Sequence, residues 1–125
     1  MKLVFFSVTG NTRRFVEKVG LSADKVVEIT ADNPEIELTE PFVLIVPCYE
    51  RATTNPVWEF MNWAGNSQAC RGLIGGGNRN FAGLFIYTAK DLAADFMVPL
   101  LYGFEFSGMP NDHAWVRNWI ETHEK

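Results

Sequence analysis

Three hydroxyls within six residues, Ser7, Thr9 and Thr12, are the groups of this chain best suited to holding an oxyanion. They surround Val8, Gly10 and Asn11 in a short segment that follows the apolar run LVFF and precedes RRFVEKV. A hydroxyl donates to a phosphate oxygen without adding charge. A glycine lets the backbone bend so that N–H groups from Val8 onward converge on one point. A helix opening at Asn11 adds unpaired N–H groups and the positive end of its dipole. No lysine stands where GxxxxGK[ST] would need one, and the GxGxxG spacing is absent, so triphosphate and dinucleotide loops are excluded. Neutral donors suit a phosphate monoester that is bound and left intact. The same residues also suit an ordinary β-turn-α corner.

Other chemistries lack their parts. Cys48 and Cys70 form neither a CxxC pair nor a disulfide framework. A CxxxxxR phosphatase loop would need arginine where Thr54 stands, and Cys48 reads as a small buried hydrophobe rather than a nucleophile. His113 and His123 have no ligand set spaced around them and read as surface residues. Ser7-Val8 occupies the place where a response regulator needs an acidic cluster. The net charge of −4 leaves no basic stripe for nucleic acid. No apolar run approaches the ~18 residues of a membrane span, and no cleavable signal peptide is apparent. These features lead us to expect a reduced, cytoplasmic protein of one domain over residues 1–125.

Alternating elements must position the candidate loop. Residues 2–7 read as a strand and 11–19 as a helix. Residues 25–30 read as a second strand, and 31–40 as loop. The continuous apolar run at 42–47 marks a strand buried on both faces. Residues 56–65 read as a helix with proline in its first turn. Residues 71–74 form a short fourth strand running into glycines, followed by a largely helical stretch at 81–96 with Leu84, Phe85, Leu92 and Phe96 at helical spacing. Residues 99–106 read as a fifth strand and 111–123 as a last helix, with Trp115 and Trp119 four apart as a packing stripe. This pattern predicts an α/β fold with a doubly wound, five-stranded parallel sheet of order 2-1-3-4-5. Ligands in such sheets sit beyond the carboxyl ends of the strands, near the point where strand order reverses.

Strands one, three and four end in the three most unusual loops, at 7–12, 48–55 and 75–80. The second carries Tyr49, whose flat ring can stack on an isoalloxazine face or serve as a half-exposed loop tyrosine. In the third, three glycines ending at Gly77 permit positive φ and close backbone approach. The N–H groups of Asn78, Arg79, Asn80 and Phe81 can then meet the pyrimidine carbonyls of a flavin, or the segment can be a plain turn capped by Asn80. A phosphate monoester such as FMN fits all three loops together.

At this point the chain resembles the NrdI family, small flavodoxin-like proteins that serve class Ib ribonucleotide reductase. The resemblance rests on FFSVTGNTRRFVEK, EPFVLIVPCY, RGLIGGGNRNF and VPLLYGFEFSG, and covers nearly the whole length. It implies FMN bound non-covalently, a flavin reductant, and the reductase β subunit as partner. In that family the reduced flavin reacts with O₂, and the oxidant passes to the partner's dimanganese site to form its radical cofactor. Carried over, Ser7, Thr9, Gly10, Asn11 and Thr12 would bind phosphate. Tyr49 would border the ring, and Asn78, Arg79, Asn80 and Phe81 would line its other edge.

Two departures stand out. The family often has glycines after the tyrosine of the second loop, whereas here Glu50, Arg51 and Ala52 follow. A peptide flip that needs positive φ costs ~1 kcal/mol or more without glycine, so the resemblance implies weaker stabilisation of the one-electron-reduced flavin. Glu50 and Arg51 can instead contact the ring or the partner, or stay solvated, and Arg51 or Arg79 near the ring would favour its anionic form. Gly103 stands where the family often has arginine. A general flavodoxin electron shuttle and a flavin-free adaptor are the rival readings.

Overall fold

Successive strand residues face opposite ways, so Leu3 and Phe5 pack on one side of a sheet while Val4 and Phe6 pack on the other. A strand that is apolar at every position therefore needs cover on both faces. The computed structural model, which describes residues 1–80 and 85–124, supplies that cover. Strands β1 (Lys2–Phe6), β2 (Val26–Ile29), β3 (Phe42–Val46), β4 (Cys70–Gly77) and β5 (Leu100–Glu105) form one parallel sheet. Its order is β2-β1-β3-β4-β5, as the sequence predicts. All five residues of the central strand β3 are fully buried.

Helices α1 (Asn11–Val19) and α5 (Pro110–His123) cover one face. Phe15, Val16, Val19, Val116 and Ile120 meet Leu3, Phe5, Val43, Ile45, Ile74 and Phe104 there. Helices α2 (Arg51–Asn62) and α4 (Tyr87–Phe96) cover the other, with a single turn, α3 (Asn66–Ala69), after α2. On that face Val57, Phe60, Met61, Ala89 and Leu92 pack against Val4, Leu44, Val46 and Leu73.

Three boundaries and one burial depart from expectation, each for a physical reason. The first is α2, which starts at Arg51 rather than at residue 56. The N–H groups of Thr53 and Thr54 close on the Glu50 carbonyl (2.9 and 3.2 Å), and Pro56 then removes only one bond near the helix start. It stops at Asn62 because Ala64 (φ 49°) and Gly65 (φ 75°) are left-handed. The second is β4, which runs through all three glycines to Gly77, so they are strand residues and none has positive φ. Their small size serves packing: a Cβ at Gly75 would lie 2.7 Å from Ile86 Cβ and 2.8 Å from Ala89 Cβ. The third is α4, which begins only at Tyr87, after the left-handed Ile86 (φ 51°). Phe85 precedes that helix, while Phe81 and Leu84 lie outside the described residues. The fourth concerns exposure. His113 lies on the buried face of α5, where its ring packs edge-on against Phe15 and its Nε2 lies 2.8 Å from the Ser107 carbonyl.

Candidate functional site

Strand β1 ends at Phe6 and α1 begins at Asn11, so Ser7, Val8, Thr9 and Gly10 must turn the chain within four residues. Gly10 makes this possible at φ 97°, a region that costs other L-residues ~1–2 kcal/mol. Its carbonyl accepts the first helical bond, from Arg14 N–H (3.0 Å). No side chain at Gly10 caps the helix start, which leaves the N–H groups of Asn11 and Thr12 to the loop's hollow. Thr12, on the first turn, is buried. Ser7 lies behind the hollow and accepts from Arg13 N–H at 3.3 Å.

Two connected compartments open beside this loop. A narrow one of about 70 Å³ is bounded by Val8, Thr9, Asn11 and Thr12 on one side and by Pro47 and Gly76 on the other. A wider one of about 390 Å³ extends to Gly77, Asn78 and Tyr87. Asn11, Cys48, Tyr49 and Phe106 belong to both, so the two form a single cleft beyond the carboxyl ends of β1, β3 and β4. Its wide part is of the size that takes a flat ring, roughly 300 Å³ or more. A larger cavity of about 570 Å³ lies at the opposite end of the sheet, between Pro41, Arg71 and Trp119. That end is the wrong one for a doubly wound sheet.

Tyr49 is fixed at three points. Its hydroxyl lies 3.0 Å from Thr9 Oγ1, which joins the second loop to the first. Its N–H donates to Thr88 Oγ1 (3.2 Å), and the same Thr88 hydroxyl donates to the Tyr49 carbonyl (3.1 Å). Thr88 is buried at the start of α4. The second loop is therefore short and stiff, with only Pro47, Cys48, Tyr49 and Glu50 between β3 and α2. Cys48 proves half-buried and lines the cleft, because β3 and its cover end at Val46. Tyr87 has its phenol held above the ordinary range, first by burial and then by the neighbouring Cys48 and Glu50.

Of the residues singled out in the sequence, Val8, Thr9, Asn11, Thr12, Tyr49, Gly77 and Asn78 meet in the cleft. Glu50 and Arg51 do not line it. The Arg51 guanidinium sits 3.7 Å over the Trp58 ring and its Nε donates to Asn55. Arg79 turns away to pair with Glu105 (3.3 Å) over the Phe85 ring. The Asn80 N–H closes on Asn78 Oδ1 (2.9 Å), and Phe81 lies outside the described residues. The positive charge nearest the first loop is instead Arg14. It donates to Asn11 Oδ1 (2.6 Å) and would meet a Cβ at Gly10 at 3.0 Å. Among the described residues Arg14 has no carboxylate partner, whereas Arg13 pairs with Glu28. Sequence reasoning also missed Phe106 and Thr88. Phe106 ends the predicted fifth strand, two strands from the switch point, and Thr88 marks only a helix start. The cleft thus joins a neutral donor loop, a nearby cation and an aromatic-walled slot, a combination of the chemistry and shape suited to a flat ring carrying a phosphate.

The sequence and the fold also resemble those of known proteins. Residues 3–118 match the family described as NrdI flavodoxin-like. The chain is 40% identical over 121 residues to the NrdI protein of Chromohalobacter salexigens, covering 92% of this chain and 90% of that one. It is 38% identical over 125 residues to NrdI of Brucella ovis, covering 95% and 91%. A solved short-chain flavodoxin associated with a non-canonical PDU bacterial microcompartment superposes with a TM-score of 0.64. At 18% identity, over 96% of this chain and 93% of that one, it is similar in fold.

Proposed function

The chain belongs to the NrdI flavodoxin-like family, and from that premise we propose that it binds FMN in the cleft and activates the β subunit of a class Ib ribonucleotide reductase. Reduced FMN supplies the electrons that turn O₂ into the oxidant used to assemble that subunit's metal and radical cofactor. The chain's own residues bind and orient. Thr9, Thr12 and the leading N–H groups of α1 would hold the phosphate, with Arg14 adding a screened positive charge. Tyr49 would border the ring. Gly77 and Asn78 would meet its polar edge. Among the described residues lining the cleft there is no carboxylate and no histidine to serve as a general acid or base, which suits a protein that positions a cofactor carrying the chemistry itself.

The observation that carries this reading is the convergence of Thr9, Thr12 and Tyr49 on one cleft at the switch point, with a left-handed Gly10 at the helix start. The donor set fits a phosphate monoester, because it is rich in N–H and O–H groups and has no carboxylate among the residues lining the narrow compartment.

Two arms test the proposal. The purified protein loaded with FMN should turn yellow and retain the flavin through gel filtration. Chemically reduced and mixed with apo β subunit, metal and O₂, it should yield the subunit's radical signal. A generic flavodoxin in its place should yield far less. A protein that holds FMN but gives no more radical than that flavodoxin is an electron shuttle for another acceptor. One that never holds flavin is an adaptor.

A further inference from the structure

We propose that Phe106 is a ring-binding residue of this cleft, held over it by a backbone conformation that its own side chain disfavours. The inference deepens the reading above and rests on it. Phe106 follows β5 at the first central position of a tight turn closed by Gly108 N–H on the Glu105 carbonyl (2.8 Å). Its φ is 54°. A turn with positive φ at that position normally takes glycine, and a bulky residue there is an outlier. The other non-glycine residues of this kind among those described are Ala64, Ile86 and Met97. Ala64 and Met97 follow helix C-termini, where a left-handed residue is common, and Ile86, at the start of α4, buries its side chain. Phe106 has neither reason, since it lies in a turn and is 56% exposed.

The surroundings impose the conformation from both flanks. Phe106 N–H donates to the Gly77 carbonyl (3.1 Å), at the end of the neighbouring strand. Beyond it, Gly108 sits so close to Phe15 that a Cβ would approach to 2.6 Å, and the buried His113 holds the Ser107 carbonyl. The turn cannot relax without moving α1 or α5. The result is an aromatic ring that bounds both compartments beside Asn11 and Tyr49 while leaving much of its surface in water. Backbone strain kept in place to present an uncovered aromatic ring is the arrangement expected of a ligand clamp. A flat ligand would cover that surface and gain ring contact.

The test compares wild type with Phe106→Gly and Phe106→Tyr, titrating each with FMN and with riboflavin by flavin fluorescence and measuring the melting temperature without ligand. Phe106→Gly should bind both flavins about tenfold more weakly, since the ring and not the phosphate loses its contact. It should melt no lower than wild type, because glycine accepts the turn. Phe106→Tyr should keep affinity within about threefold. Wild-type affinity in Phe106→Gly would overturn the inference while leaving the FMN reading intact. So would a loss confined to FMN, or a clear drop in melting temperature, which would make Phe106 a structural residue. Failure of the wild-type protein to bind either flavin would overturn both.

Discussion

Single residues set the chemistry of the cleft, and their effects separate by ligand. Replacing Arg14 with glutamine removes the cation beside the β1–α1 loop while keeping a donor for Asn11. FMN affinity should fall severalfold, more at low salt than at high salt, while riboflavin affinity stays unchanged. Isothermal titration at two ionic strengths reads this directly. Thr88→Val should destabilise the protein by about 1–3 kcal/mol in urea unfolding, because the N–H and carbonyl of Tyr49 both lose their partner. Thr88→Ser should restore most of that loss. Gly10 and Thr88 mark what a sequence reveals at this scale. Gly10 between hydroxyls announces its turn, since few other residues accept that φ. Thr88 announces nothing, because its partner is 39 residues away. Phe106 is hidden for the opposite reason: its local preference argues against the conformation that the fold imposes.

Elements position those residues through packing, and here the stack of Phe15 on Phe104 joins α1 to β5. Their rings lie 3.8 Å apart at 16°. Phe15→Ala should cost about 3–5 kcal/mol in denaturant unfolding, because both rings are fully buried and the cavity cannot collapse. A second joint ties β5 to α5, where the Tyr102 hydroxyl donates to the Asp112 carboxylate, which also accepts the Met109 N–H (2.7 Å) at the helix start. That carboxylate, and to a lesser degree burial, holds the Tyr102 phenol above its ordinary value of 10.0. A raised phenol contributes stability below the unfolded value and loses it as pH climbs through the folded one. Thermal stability should therefore decline above about pH 10, and Tyr102→Phe should flatten that alkaline limb in melting scans. Helix α1 was legible to the residue because its apolar face repeats at helical spacing between two glycines. The start of α2 was not, since Pro56 reads as a first-turn residue when it stands alone. Asn66 shows the same limit. No local pattern singles it out, yet it is fully buried and bonds Leu38 N–H and the Ile36 and Phe60 carbonyls, pinning the loop before β3.

At the scale of the molecule, strand order was readable because an apolar strand such as β3 must lie centrally and crossovers keep one hand. That order places the first, second and third loops side by side, though they are far apart in sequence. Among the described residues no helix is long and apolar enough to cross a membrane. The contribution of the β5–α5 turn was invisible at this scale, since β5 lies at the sheet edge and its loop reaches the cleft only by folding back over Gly77. The central claim is that the β1–α1 loop grips a phosphate carried by a flat ring. Parallel titration of the purified protein with FMN and riboflavin tests it most directly. FMN should bind at least about a hundredfold more tightly, a gap of roughly 2.7 kcal/mol supplied by the loop. Equal affinity for the two flavins would contradict it.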